Sequence, residues 1–213
     1  GMSMRLLRLL LVILALGAAL PAFAGPAEDL KALFEREWQR DLRESPTLAT
    51  YLGDKRYNRV WPDLSPAAIA ASHAADRQAL ADLGRIPRAE LSAADQLSLD
   101  LFRRIYEDRV AVYAFKPYLY PVNHRDGPQF SHEMLEQMRF DGVGDYEDFI
   151  ARMQAFGGYM DSILALMAQG VREHRVQPRV ILERVPAQVA KQLVASPEQS
   201  PWFAPFRSLP DTM

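Results

Sequence analysis

The chain has 213 residues, with 25 basic against 27 acidic side chains and no cysteine. A formal charge of −2 argues against a nucleic-acid binder, which would need a basic stripe. The missing thiols exclude disulfides, a cysteine nucleophile, thiolate metal sites and a lipoprotein anchor, which needs a cysteine at its cleavage point.

Arg5 and Arg8 give a short positive start, and Leu9 to Leu20 is an apolar run too short for an ordinary membrane span. Ala22-Phe23-Ala24 then supplies the small-x-small pattern of a signal-peptidase site. Residues 1–24 are therefore read as a secretory signal, with Gly25 as the mature N-terminus and an exported, periplasmic location expected. Gly1 ahead of Met2 reads as a cloning remnant. Cleavage leaves 23 basic against 27 acidic residues in a chain long enough for one domain or for part of a larger one. No later apolar run is long enough to span a bilayer, so no membrane anchor is expected after cleavage.

The rest reads as an all-α, irregular multi-helix array over residues 25–195. Leu30, Leu33, Phe34, Trp38 and Leu42 recur at helical spacing, and Ser45-Pro46 ends that helix and opens a short second one that Gly53 stops. Ser65-Pro66 starts another helix, with Ile69, Leu80 and Leu83 on one stripe and Gly84 as its stop. Ser92-Ala93-Ala94-Asp95 has capping-box form and precedes Leu97, Leu101, Phe102, Ile105, Tyr106 and Tyr113. Pro117 and Pro121 force an extended stretch, and Ser131 to Phe140 reads as a short helix. Asp145 caps the next helix, with Tyr146, Phe149, Ile150, Met153 and Phe156 inward and a break or kink at Gly157-Gly158. Val176 to Val185 is a weak strand candidate, and Pro186 opens a last helix with Val189 and Leu193. The tail, residues 196–213, combines four prolines with Trp202, Phe203 and Phe206. Three aromatics in so short a tail need a covering surface. A missing continuation is the expected cover, which reads the chain as truncated; the competing reading folds the tail back on its own helices.

No known catalytic template is complete. His132-Glu133 lacks the second histidine of His-Glu-x-x-His, because Glu136 stands at that position. A capped surface helix with an i,i+4 pair is favoured there. His73 and Asp76 read as a satisfied hydrogen bond at a core edge, and His174 as part of a solvated helix end. Glu147-Asp148 are adjacent and point to different sides. A metal site built from His73, His124, His132 and His174 would need three of them to converge. The segment Lys116 to Gly127 is different, since it joins two prolines and two tyrosines to a polar cluster in irregular backbone. Such segments line clefts when rigid helices flank them. Tyr118, Tyr120, Asn123, His124 and Arg125 are therefore the substrate-cleft candidates, with a buried turn at the base of a bundle as the alternative. No catalytic or metal residue is assigned.

Several stretches together carry a family resemblance. They are Leu33-Phe34-Glu35-Arg36-Glu37-Trp38, Ser45 to Gly53, Tyr120-Pro121-Val122-Asn123-His124 with Gly127-Pro128, Asp145 to Met153, and Gly170 and Pro178. In order and spacing, residues 28–194 resemble the N-terminal third of the bacterial family labelled domain of unknown function 885. The resemblance implies a longer, exported, largely helical protein similar to zincin-like metallopeptidases. In that family the zinc-binding His-Glu-x-x-His lies in the C-terminal part, beyond the matching stretch. It follows that no catalytic or metal residue carries over to this chain, that zinc is expected only in the missing C-terminal part, and that a peptide is the expected substrate of the complete protein. The reading is the N-terminal helical wall of the cleft of an exported zinc-dependent peptidase. The alternative is a non-enzymatic exported binding or interaction domain.

Overall fold

The structure, a computed structural model, describes residues 25–207 and Leu209. The expected signal segment 1–24 lies outside the described residues. Helices α1 (Pro26–Glu44), α2 (Pro46–Tyr51), α3 (Pro66–Leu83), α4 (Ala93–Val112), α5 (Val143–Arg172), α6 (Arg179–Leu182) and α7 (Val185–Ala190) are joined by tight 3-10 turns. No strand occurs among the described residues, so the protein is all-α. No helix among them is long and apolar enough to cross a membrane.

Local chemistry sets the helix ends. Proline opens α1, α2 and α3, where a missing N–H costs no hydrogen bond. The Ser65 and Ser92 hydroxyls accept from the N–H groups of Ala68 (3.2 Å) and Asp95 (3.1 Å). At α5 the capping carboxylate sits inside the first turn: Asp145 accepts from the N–H groups of Asp141 (2.8 Å) and Gly142 (3.1 Å).

Helices α1, α3 and α4 form a bundle. Phe34 stacks on Phe102 at 4.9 Å, and Asp41 meets Arg109 further along, so α1 and α4 run parallel. Helix α3 is antiparallel to α1, because Arg36 bonds Asp82 while Glu44 bonds Ser72. Leu30, Leu33, Ala79, Leu83, Leu91, Leu99 and Tyr106 are the shared core. Each fully buried leucine contributes about 1.5–3 kcal/mol. An ionic seam runs beside this core: Arg40 bonds Glu37, Glu44 and Asp76, while Arg109 forms a two-point pair with Asp41 and stacks over Tyr106. Burial pushes the Tyr106 hydroxyl up to about 12, and it donates to Glu37 at 3.3 Å.

Arg152 ties α2 and the 55–61 segment to α5. It is fully buried. Its guanidinium donates to the carbonyls of Tyr57 (2.8 Å), Val60 (3.0 Å) and Pro46 (3.3 Å) and to the Thr50 hydroxyl (2.8 Å). Burial pushes it down to about 10, which leaves it protonated at neutral pH.

Several expectations are corrected. Leu97, Leu101 and Ile105 are exposed, because Leu99, Phe102 and Tyr106 define the face of α4 that meets α1 and α3. Trp38 is also exposed, while Glu37 and Arg40 of the same helix are buried in the seam. Helix α5 runs unbroken through Gly157 and Gly158. The segment expected as a helix from Ser131 is a 3-10 run, Pro128–Glu136, which Pro128 opens earlier. Pro178 and Pro186 leave no room for a strand over 176–185, where α6 and the start of α7 lie. Val189 and Leu193 are exposed. The tail aromatics are half-buried on α5: Trp202 packs on Phe149 and Phe156, and Phe206 on Tyr146 and Phe149.

Two stability predictions follow from these contacts. Arg152→Lys keeps the charge but cannot reach three carbonyls, so it should lower stability by about 3 kcal/mol or more in urea unfolding. A loss below about 1 kcal/mol would remove the clamp. An added Cβ meets nothing within 4 Å at Gly157 or Gly158, but at Gly170 it lies 2.6 Å from the Arg175 carbonyl oxygen and 3.1 Å from that of Leu119. Gly157→Ala and Gly158→Ala should each stabilise by about 0.5–1 kcal/mol, and Gly170→Ala should destabilise, as read by melting temperature.

Candidate functional site

A cleft of about 480 Å³ opens between the loop before α3, the segment 118–134 and the middle of α5. Trp61, Tyr118, Phe130 and Tyr159 supply its aromatic lining, and Arg125, Asp126 and Glu133 its charges. Its size and its mixture of rings with a few polar groups are those of a ligand site.

Each lining group is placed by an identifiable contact. The Trp61 indole N–H donates to the Arg152 carbonyl at 2.7 Å, and its ring stacks on Tyr159 at 4.9 Å. Tyr118 follows Lys116, whose left-handed backbone (φ 52°) turns the chain sharply after α4. The Lys116 ammonium fixes that turn by pairing with Glu173 at 2.6 Å. Gly170 gives the same turn room, because a side chain there would press on the Leu119 carbonyl. Asn123 folds the next stretch: its Oδ1 accepts from the N–H groups of Arg125 (2.8 Å) and Asp126 (2.9 Å). Gln129 donates to the Asn123 carbonyl (2.8 Å), and Gln188 of α7 donates to the His124 carbonyl (2.9 Å). Gly127 completes the turn at φ 143°, a conformation that L side chains rarely adopt.

Two of the five expected cleft residues, Tyr118 and Arg125, line the cleft. Tyr120 lines a separate cavity of about 90 Å³ with Leu119 and Val122. The Asn123 side chain is engaged in holding the turn. His124 is held through its carbonyl, and its Nδ1 is buried without a partner. Sequence reasoning missed Trp61, Phe130, Glu133 and Tyr159. A tryptophan in the irregular stretch between Gly53 and Ser65 was the signal available for the first.

The charged rim is unpaired, as are Arg77 and Arg103 elsewhere on the surface, while several other surface cations are paired. Arg36, Lys55, Arg56, Arg59, Arg88 and Arg109 all hold acidic partners. Among the described residues, the side chains of Arg125, Asp126 and Glu133 hold none. Burial raises the Tyr159 hydroxyl, with the Asp126 charge adding to it, and burial also raises Tyr118. Both phenols therefore stay protonated and can donate at neutral pH.

The histidines do not converge. Among the described residues, no group of three histidine, aspartate or glutamate side chains is placed to hold a metal ion. Asp76 is bonded to Arg40, and His73 stacks on Tyr113 at 3.8 Å instead of pairing with Asp76. His132 and Glu136 lie on a 3-10 run, where residues four apart do not share a face.

The fold and the cleft define a helical protein whose irregular central segment forms one wall of an aromatic, polar-rimmed groove. The family model described as "Bacterial protein of unknown function (DUF885)" matches residues 46–213, and the chain belongs to that family. No curated protein matches it.

The turn and the rim should respond differently to truncation. Asn123→Ala leaves two N–H groups without their acceptor and should lower stability by about 1 kcal/mol, whereas Arg125→Ala should stay within about 0.5 kcal/mol of the parent. Thermal unfolding of both variants checks the distinction.

Proposed function

We propose that this chain is the helical, substrate-holding part of an exported zinc-dependent peptidase, and that the cleft bordered by Trp61, Tyr118 and Tyr159 binds peptide. The observation that carries the reading is the pairing of an aromatic lining with three charged side chains that have no protein partner. Ring faces cover apolar side chains of a peptide. The Arg125 guanidinium suits a carboxylate, Asp126 and Glu133 suit an ammonium group, and the two phenols donate to carbonyls. The chain belongs to a family of unknown function, and the reading takes its peptidase chemistry from the zincin-like character that the sequence resemblance implies.

Zinc enters only through that likeness. The described residues do not fit a zinc site, since they bring no three suitable ligands together. No chemical step is therefore assigned to this chain; its role is to bind and orient. Export rests on the charged, apolar and small-residue pattern of the first 24 residues.

The test is a peptide titration followed by intrinsic fluorescence, because Trp61 lines the cleft. The complete gene product should also cleave peptides and lose that activity with a chelator. Arg125→Ala should weaken peptide binding about tenfold and raise KM more than it lowers kcat. Binding without turnover by the complete product would favour an exported binding module, and absence of peptide binding would overturn the proposal.

A further inference from the structure

A second concavity, of about 530 Å³, lies on the other side of Leu64 and Ile69, which line both it and the cleft. It is walled by the end of α1, the start of α3 and the end of α4. A small cavity of about 100 Å³ lies between the two and is lined by Ile69, Tyr113, Tyr118 and Leu166. The rings of Tyr113 and Tyr118 stand 5.9 Å apart along that junction. Each large concavity alone matches a small-molecule site in size, and the pair exceeds what one such ligand fills.

The far concavity has its own chemical character. Its charged wall is largely self-neutralised: Asp76 and Glu44 are bonded to Arg40, and Arg109 is bonded to Asp41. Such a wall presents little net charge to a ligand. The concavity is also lined by Arg43, which holds no acidic partner, and by His73, whose Nδ1 is buried without a partner and whose Nε2 is neither buried nor bonded. The ring is held flat against Tyr113, with 8° between their planes, which fixes the ring plane. The open Nε2 is the ring atom that a ligand group can reach, as donor or acceptor according to tautomer. The middle of the groove, at Leu64, Ile69 and Leu166, is aliphatic.

We propose that the two concavities form one continuous groove, and that the ligand is an extended peptide too long for either alone. Its apolar middle residue crosses Ile69, and a main-chain amide group near one end bonds His73. The inference rests on the peptide-binding reading of the cleft and adds a distal subsite with His73 as its recognition residue.

The experiment compares a dipeptide with a leucine-centred hexapeptide by calorimetry, on the parent chain and on His73→Leu and Ile69→Phe. The hexapeptide should bind at least tenfold more tightly than the dipeptide. His73→Leu should weaken hexapeptide binding about five- to tenfold, the worth of one hydrogen bond, and leave the dipeptide unchanged. Ile69→Phe should narrow the junction and, because Ile69 also borders the cleft, weaken the hexapeptide more than the dipeptide. Because His73 packs on Tyr113, NMR of the parent chain gives an independent reading: with four histidines in the sequence, the His73 ring signals should move with the hexapeptide and not with the dipeptide. Equal affinity for both peptides, with unmoved His73 signals, would overturn the distal subsite and leave the cleft reading intact. Failure of both peptides to bind would overturn the two together.

Discussion

The burial of Arg152 is the constraint on which the second half of the molecule depends. A guanidinium taken out of water must find acceptors for its donors, or the cost is several kcal/mol. Here no carboxylate accepts. Three main-chain carbonyls and the Thr50 hydroxyl do, and they come from α2 and from the irregular stretch that follows it. A single side chain of α5 thus dictates the path of residues 46–61. The carbonyl of that same residue receives the Trp61 indole N–H, so the clamp also places the ring that lines the cleft.

The three-helix bundle is organised differently. Its apolar core is ordinary, but the seam beside it replaces further leucines with Glu37, Arg40, Asp76 and Arg109. Hydrogen bonds to Asp76 and Glu37 keep Arg40 charged against the opposing effect of burial. Such a seam specifies which face of each helix turns inward, since a misregistered arginine would lose its acids. It also hands the far concavity a rigid, neutralised wall. Tail packing finishes the other half: Trp202 and Phe206 lie against the aromatic row of α5, behind the Trp61 ring.

Much of the fold was legible in the sequence because helix termini are written in short-range chemistry. Ser65-Pro66, Ser92 with Asp95, and Ser45-Pro46 each mark a boundary that the structure keeps. Inward faces were less legible. Periodicity cannot tell Leu97-Leu101-Ile105 from Leu99-Phe102-Tyr106, since both recur at helical spacing; partner helices decide. Nor does it reveal that Arg152 is more deeply buried than its neighbours Ile150 and Met153. The candidate segment 116–127 was found from its prolines and tyrosines, yet Asn123 and His124 serve mainly to hold the chain that presents Arg125. The opposite wall, at Trp61 and Tyr159, comes from residues far away in sequence, which no local pattern connects.

Clamp, turn and groove make one account: buried polar contacts fix an irregular backbone so that rings and unpaired charges face a cleft. Hydrogen–deuterium exchange of the chain with and without a saturating peptide tests it most directly. The account predicts slowed exchange in residues 118–134, around Trp61 and through the Tyr159 to Leu166 stretch of α5, with the exposed ridge at Leu97 to Ile105 unchanged. Protection confined to that ridge, or no protection anywhere, would contradict it.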